Sequence, residues 1–187
     1  RDNGVFNSQQ TNWLGENYSY QGIGQYYEFF NPAEIFGVQV ALYDLNIGFV
    51  NSTLYAAVYQ YDYGNEEWFP IEYSDAIQIL DETEELLNSG YESSDQIKWT
   101  RFVFDNPVSV NEGDLFMAVI EGSSEGVSVG MAESTTALVD GYFYDGSWYY
   151  FANQTPMIRF NLDPTFEGIS SSCKEPSACN YDNSGII

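Results

Sequence analysis

Histidine is absent from this chain of 187 residues, and basic side chains are scarce. Without an imidazole, neither a Ser-His-Asp nor a Cys-His relay can be assembled, and the most versatile metal ligand is missing. The sequence has no glycine-rich phosphate loop, so it predicts no nucleotide site. It also has no run of about 18 apolar residues, so we predict no membrane insertion. Together these absences disfavour most enzyme classes.

The charge balance is strongly acidic. Five basic residues stand against 28 acidic ones, which gives a formal net charge of −23. No Lys or Arg occurs between Arg1 and Lys98. Such a field repels phosphate backbones and anionic membranes, so we expect no nucleic-acid partner. The same field attracts cations and suits a protein that stays dissolved in a saline exterior.

Carboxylate chemistry is the catalytic route that these absences leave open, because a glycosidase needs only two carboxyl groups at a fixed separation. Glu28, Glu72, Glu121 and Glu133 lie in or beside predicted strands. Among 28 acids, some pair would meet that separation by chance. We therefore interpret these residues as solvated and predict that the chain is not an enzyme.

Alternation of side chains with a period of two recurs along most of the chain, with turn residues between the runs. Phe36, Val38 and Val40 point one way in the first run. Further strands are predicted at residues 54–63, 102–110, 115–120, 127–131 and 157–162. This pattern predicts an all-β fold, a two-sheet antiparallel β-sandwich of jelly-roll type, over residues 1–163. One short helix is predicted from Asp81 to Gly90, with an acidic loop as the alternative.

A hairpin is predicted at Asp145-Gly146, a pair that is typical of a two-residue type I′ turn. That turn pairs residue 144 with 147 and residue 143 with 148. Phe143 and Trp148 would then share the core face, and Tyr142, Tyr144 and Tyr149 would share the other face.

Tyrosine is the most abundant aromatic residue, with 16 copies. In the strand from residue 54, Tyr55, Tyr59, Tyr61 and Tyr63 fall opposite the aliphatic positions. Outward tyrosines can stack on sugar rings. The alternative is that they form cross-strand ladders or pack under loops. The predicted ligand-binding residues are Tyr59, Tyr61, Tyr142, Tyr144 and Tyr149.

Two acidic clusters offer oxygen ligands for calcium, since hard cations bind carboxylates, amides and backbone carbonyls. One contains Asp62, Asn65 and Glu66, and the other contains Asp81 and Glu84. No EF-hand spacing is present, and a solvated loop is the alternative interpretation of either cluster.

The last fifteen residues read Cys-Lys-Glu-Pro-Ser-Ala-Cys-Asn-Tyr-Asp-Asn-Ser-Gly-Ile-Ile from Cys173. This resembles a repeat, roughly Gly-Cys-Thr-Asp-Pro-x-Ala-Cys-Asn-Tyr-Asp-Pro-x-Ala, that occurs in tandem in large secreted and surface proteins of the Bacteroidota, many exported by type IX secretion. The chain departs from the repeat at Lys174, Glu175 and Asn183, and the later cysteine is absent. The sandwich resembles, loosely, the β-sandwich modules of the same proteins, through residues 99–104, 107–108, 112–113 and 157–160.

The resemblance implies an extracellular or cell-surface location and a processed or excised stretch of a longer modular protein. Residues 164–172 then form a linker, and residues 173–187 a truncated cysteine repeat. Cysteines of secreted chains usually pair. Cys173 and Cys179 could bond to each other, or each could bond to a cysteine beyond residue 187.

We therefore expect a non-catalytic structural or adhesion module of a larger surface protein or filament. Its partners would be other copies or neighbouring modules of the same assembly. The alternative is a carbohydrate-binding module that uses the surface tyrosines to hold a polysaccharide, with calcium as a possible stabilising ion.

Overall fold

A computed structural model describes residues 11–14, 21–43, 52–79, 99–122, 127–133, 141–151 and 154–165. The regular structure of these residues is entirely β-strand. The strands are β1 (Thr11–Leu14), β2 (Gly22–Glu28), β3 (Ala33–Val40), β4 (Leu42–Tyr43), β5 (Ser52–Asp62), β6 (Glu67–Tyr73), β7 (Ile77–Ile79), β8 (Thr100–Val110), β9 (Leu115–Gly122), β10 (Val127–Glu133), β11 (Gly141–Tyr144), β12 (Trp148–Tyr150), β13 (Gln154–Pro156) and β14 (Ile158–Asn161).

Seven strands form the large sheet, in the order β12-β11-β2-β9-β5-β6, with β7 paired to β5. The remaining strands form two smaller sheets, β14-β3-β8 and β1-β10-β13, and β4 pairs with β10. Every pairing among the described strands is antiparallel. The predicted all-β sandwich of antiparallel sheets packed against each other is confirmed.

The two smaller sheets join at three backbone hydrogen bonds. The Gly130 N–H donates to the Ala41 carbonyl at 2.7 Å, and the Ala41 N–H donates to the Met157 carbonyl at 3.0 Å. The Met157 N–H in turn donates to the Gly130 carbonyl at 2.8 Å. Strand β10 thus enters where β3 and β14 separate, and the two sheets form one second layer of the sandwich.

The core lies between the large sheet and the second layer. Alternation along β9 and β5 sends one side of each strand inward, as period two requires. The large sheet contributes Ile23, Leu54, Ala56, Val58, Phe116, Ala118 and Ile120. The second layer contributes Ile35, Val38, Val40, Phe102, Phe104, Val110, Val129, Met131 and Ile158. Burial of each of the larger side chains stabilises the fold by about 1.5–3 kcal/mol.

The predicted strands at residues 115–120 and 127–131 are confirmed as β9 and β10. The predicted phase of β3 is wrong at its start, because Ile35 rather than Phe36 shares the buried face with Val38 and Val40. The ladder to β8 changes register between Ile35 and Gly37. The ladder advances two residues on β3, from Ile35 to Gly37, but five on β8, from Val108 to Val103. The alternation of β3 changes phase across this irregularity, so Ile35, Val38 and Val40 are all buried on the inward face.

The predicted helix at residues 81–90, the linker and the cysteine tail lie outside the described residues. In the part of the chain that the structure covers, no helix is long and apolar enough to cross a membrane.

Candidate binding site on the outer face of the large sheet

The outer face of the large sheet has a floor of small and flexible side chains. Ala57, Met117 and Val119 lie on it and are fully buried. Strand β2 contributes Gly22 and Gly24 to the same floor, beside β9. A Cβ at Gly24 would lie 2.6 Å from the Met117 sulfur, so glycine leaves the space that this methionine fills.

Aromatic rings cover this floor from both sides. The Trp68 ring of β6 lies 5.9 Å from the Tyr142 ring of β11, measured between centroids. The Tyr59 ring of β5 lies 5.3 Å from the Trp148 ring of β12. Each pair spans four strand spacings, about 19 Å along a flat sheet, so the sheet curves and the rings lean inward.

The covering rings lie on the same side of the large sheet, over this shared floor, and we call them together the aromatic face. Tyr63 contacts Tyr61, and Tyr61 contacts Trp68, each at 5.2 Å. Tyr144 contacts Trp148 at 5.2 Å. The aromatic face consists of Tyr55, Tyr59, Tyr61, Tyr63, Trp68, Tyr73, Tyr142, Tyr144 and Trp148. Tilted and edge-to-face pairs of this kind add about 0.5–1.5 kcal/mol each beyond area burial, so the rings hold one another in place.

A carboxylate lies within the aromatic face. Glu121 ends the outward row of β9, and its two oxygens accept hydrogen bonds from Tyr55 at 2.8 Å and from Tyr59 at 2.5 Å. Tyr55 also packs against Tyr73, with ring centroids 5.7 Å apart. A carboxylate has about four lone-pair sites, so Glu121 keeps acceptor capacity beyond these two bonds.

The phenols around Glu121 hold their protons strongly. Burial raises the pKa of Tyr59 far above its usual range, and the hydrogen bond to Glu121 and the charge of that carboxylate act in the same direction. The pKa of Tyr55 is raised by the same causes in the same order. Burial is also the largest cause of the raised pKa of Tyr73. These hydroxyls therefore remain donors at neutral pH.

The raised pKa values predict a loss of stability in alkali. A tyrosine of the unfolded chain ionises near pH 10, whereas Tyr55 and Tyr59 stay protonated in the fold. Their contribution is complete below about pH 10 and is lost progressively above it. We expect the free energy of unfolding, measured in urea between pH 8 and 11, to fall less steeply above pH 10 in Tyr59→Phe than in the parent. Tyr63→Phe, at an exposed ring, is the control, and equal slopes in all three proteins would contradict the prediction.

The hairpin from β11 to β12 differs from the predicted one. Tyr144 pairs with Trp148 and Phe143 pairs with Tyr149, so the loop has three residues. Gly146, the middle residue of the loop, has a φ of 76°, a left-handed conformation that glycine adopts without the steric cost of a Cβ. The predicted two-residue turn and its pairing are wrong.

The additional loop residue exchanges the faces of the sheet that Trp148 and Tyr149 occupy, relative to the prediction. A slip of one residue inverts every side chain of a strand, so Trp148 joins the aromatic face. Tyr149 instead stacks on Phe143 at 5.5 Å, on the core side of the sheet, and stays 51% exposed at its edge. The prediction that Tyr149 shares a face with Tyr142 and Tyr144 is therefore wrong.

The structure brings the other predicted ligand-binding residues together. Tyr59 and Tyr61 of β5 lie on the same face as Tyr142 and Tyr144 of β11. Sequence reasoning missed Trp68 and Trp148 as members of this surface. Trp68 could have been found, because the turn after Asp62 pairs it directly with Tyr61.

The four carboxylates considered for glycosidase chemistry are spread over the fold. Glu28 pairs with Leu115 at one end of β9, and Glu121 lies six residues away at the other end, about 20 Å along a strand. The two groups of a glycosidase lie within about 9.5 Å of each other. Glu72 pairs with Val58, which faces the core, whereas Glu121 faces outward. Glu133 ends β10 in the second layer.

The first predicted calcium cluster forms a turn between β5 and β6. Asp62 accepts hydrogen bonds from the Gly64 N–H at 2.7 Å and from the Asn65 side-chain amide at 2.6 Å. These bonds, with that from Gly64 the largest cause, lower the pKa of Asp62. Glu66 lies in the same turn and adopts a left-handed φ of 57°. Across the described ranges, no three Asp, Glu, Cys or His side chains are grouped closely enough to hold a metal ion.

Other predicted residues lie outside the described part of the chain. They are the second calcium cluster, Asp81 and Glu84, and the candidate disulfide residues, Cys173 and Cys179. These predictions stay predictions.

No protein-family model matches this chain, and no curated protein is significantly similar to it.

Proposed function

We propose that this chain is a non-catalytic, carbohydrate-binding module of a larger extracellular adhesion protein, and that the aromatic face is its binding surface. The observation that carries the proposal is the convergence of rings from four strands on one side of the large sheet, around the carboxylate of Glu121. Tyr63 and Tyr73 of this face are 64% and 44% exposed. Their rings are therefore available to a ligand.

The chemistry of the face suits sugars. A pyranose ring presents apolar C–H groups on its faces and hydroxyls around its edge. Tyrosine and tryptophan offer flat apolar surfaces to the C–H groups. The phenols can donate hydrogen bonds to the sugar hydroxyls or accept them, and the carboxylate can accept them. Covering one ring contributes about 1–2 kcal/mol by area, so three covered rings give millimolar to micromolar affinity.

The extracellular part of the proposal draws on two features of the sequence. Residues 173–187 resemble a repeat of secreted surface proteins, and the net charge of −23 suits a saline exterior. Neighbouring modules or further copies of the chain are the proposed structural partners. A sugar-binding face would give such an assembly its adhesive function.

Two tyrosines of one hairpin provide a matched test. Tyr144 belongs to the aromatic face, whereas Tyr149 lies on the other side of the sheet. We expect Tyr144→Ala to weaken binding about tenfold to any polysaccharide that retards the parent protein, since loss of one stacking ring removes about 1.4 kcal/mol. Tyr149→Ala should bind as the parent does. The measurement is affinity electrophoresis against a polysaccharide panel, followed by calorimetry. Equal losses in the two variants, or no retention of the parent by any polysaccharide, would sink the proposal.

A further inference from the structure

The two layers of the sandwich differ in charge: the strands of the second layer contain both acidic and basic residues, whereas those of the large sheet contain acidic residues alone. None of the seven strands of the large sheet contains Lys or Arg. The acidic residues of these strands are Glu28, Asp62, Glu67, Glu72 and Glu121. The large sheet therefore carries negative charge alone.

The basic residues of the described part lie in the second layer. Arg101 is in β8 and is exposed, and Arg159 is in β14. The Arg159 guanidinium lies 4.1 Å from the centroid of the Trp99 ring, where the π electrons attract it. No basic residue of the large sheet itself offsets the Glu121 carboxylate on the aromatic face.

We propose that the aromatic face selects polymers of amino sugars with free, protonated amines over neutral and acidic polysaccharides. The inference rests on the proposed carbohydrate-binding function and names the substrate class. An ammonium group gains from the electron-rich faces of tyrosine and tryptophan and from the acceptor positions that Glu121 retains. The same sugar rings stack on the exposed phenols.

Other polymers fit the face less well. A polyuronate or a sulfated polysaccharide would bring anions to a sheet of negative charge and to a chain of net charge −23, so it is repelled. A neutral polysaccharide gains the stacking but not the charge attraction. A lysine-rich peptide has the charge, but its flexible side chains lose rotamer entropy on binding and offer no flat ring to stack.

The test compares oligosaccharides of one backbone that differ in charge. An oligomer of glucosamine and its fully N-acetylated form share ring, linkage and length, and an oligouronate and oligolysine complete the set. Calorimetry at a pH below the pKa of the sugar amine should show that the glucosamine oligomer binds about tenfold more tightly than its acetylated form. This is the ratio that one desolvated cation–π or charge contact supplies. The oligouronate should not bind. The preference should shrink as salt is raised.

A matched pair of variants assigns the preference to Glu121. Glu121→Gln should bring the affinities of the two forms within about twofold of each other, because the free-amine form loses the charge attraction and the acetylated form does not. Glu72→Gln makes the same charge change at a residue that pairs with Val58 elsewhere on the sheet, and it should keep the preference. Raising the pH through the pKa of the sugar amine should abolish the preference in the parent, which tests the proposal without any substitution.

The outcomes separate this inference from the function on which it rests. Binding of no oligosaccharide would overturn the carbohydrate-binding function itself. Equal binding of the free-amine and acetylated forms, or a preference that survives Glu121→Gln, would overturn the selectivity and leave sugar binding standing. Oligolysine bound as tightly as the glucosamine oligomer would also overturn it, because the face would then recognise polycations in general.

Discussion

Replacement of Phe116 by alanine is expected to lower the free energy of unfolding by about 3–5 kcal/mol. Phe116 is 1% exposed in β9, between β2 and β5. Its ring meets Phe29 edge to face, with centroids 5.8 Å apart. The substitution removes this contact and leaves a cavity between rigid strands, which the surrounding core can fill only in part. Since domains of this size are stable by about 5–15 kcal/mol, the variant would approach the limit of folding.

Urea unfolding followed by tryptophan emission measures this loss. Phe30→Ala is the control, because Phe30 is 63% exposed and its removal should change stability by less than about 0.5 kcal/mol. The contrast between the two phenylalanines tests the inward phase of β9. Similar effects of both substitutions would contradict the described core.

Replacement of Gly141 by alanine is expected to lower the free energy of unfolding by about 1–3 kcal/mol. A Cβ at this position would overlap Pro156 Cδ and would lie 3.2 Å from the Gln154 carbonyl oxygen. The proline ring and the β13 backbone cannot rotate away, so strands must shift. Because β11 carries Tyr142 and Tyr144, the same shift should disturb the aromatic face.

Gly22→Ala is the matched control for Gly141→Ala. A Cβ at Gly22 meets the Glu121 side chain at 3.4 Å and the Trp148 ring at 3.5 Å, which is ordinary contact distance. Thermal unfolding should therefore show a lower midpoint for Gly141→Ala and little change for Gly22→Ala. A tolerated methyl at Gly141 would mean that β11 and β13 lie farther apart than described.

The fold class could be predicted because it depends on local alternation. Leu54, Ala56 and Val58 face the core as their spacing predicts. Tyr55 and Tyr59, at alternate positions of the same strand, face outward. The register of the hairpin from β11 to β12 is less predictable. Asp145-Gly146 favours a two-residue turn, but here it lies inside a three-residue loop. The one additional loop residue determines which faces of the sheet Trp148 and Tyr149 occupy.

The site could be predicted only in part, for a physical reason. Alternation tells which side of a strand Tyr59 and Tyr142 occupy, but it does not tell which strands become neighbours. The contacts of Tyr59 with Trp148, and of Trp68 with Tyr142, depend on strand order and on sheet curvature, which arise from pairings between distant segments. Glu121 could not be distinguished from the other acids until Tyr55 and Tyr59 were placed beside it.

The closure of both layers by late strands has a consequence for synthesis. Residues 22–25 pair with residues 141–144, and residues 37–40 pair with residues 158–161. The early strands β2 and β3 therefore cannot pair with β11 and β14 until more than a hundred further residues have been made. Until then, part of their apolar surface stays uncovered. Folding should be slow and should begin only after residues 141–161 have been made, so until then the nascent chain depends on its acidic residues or on a chaperone to avoid aggregation.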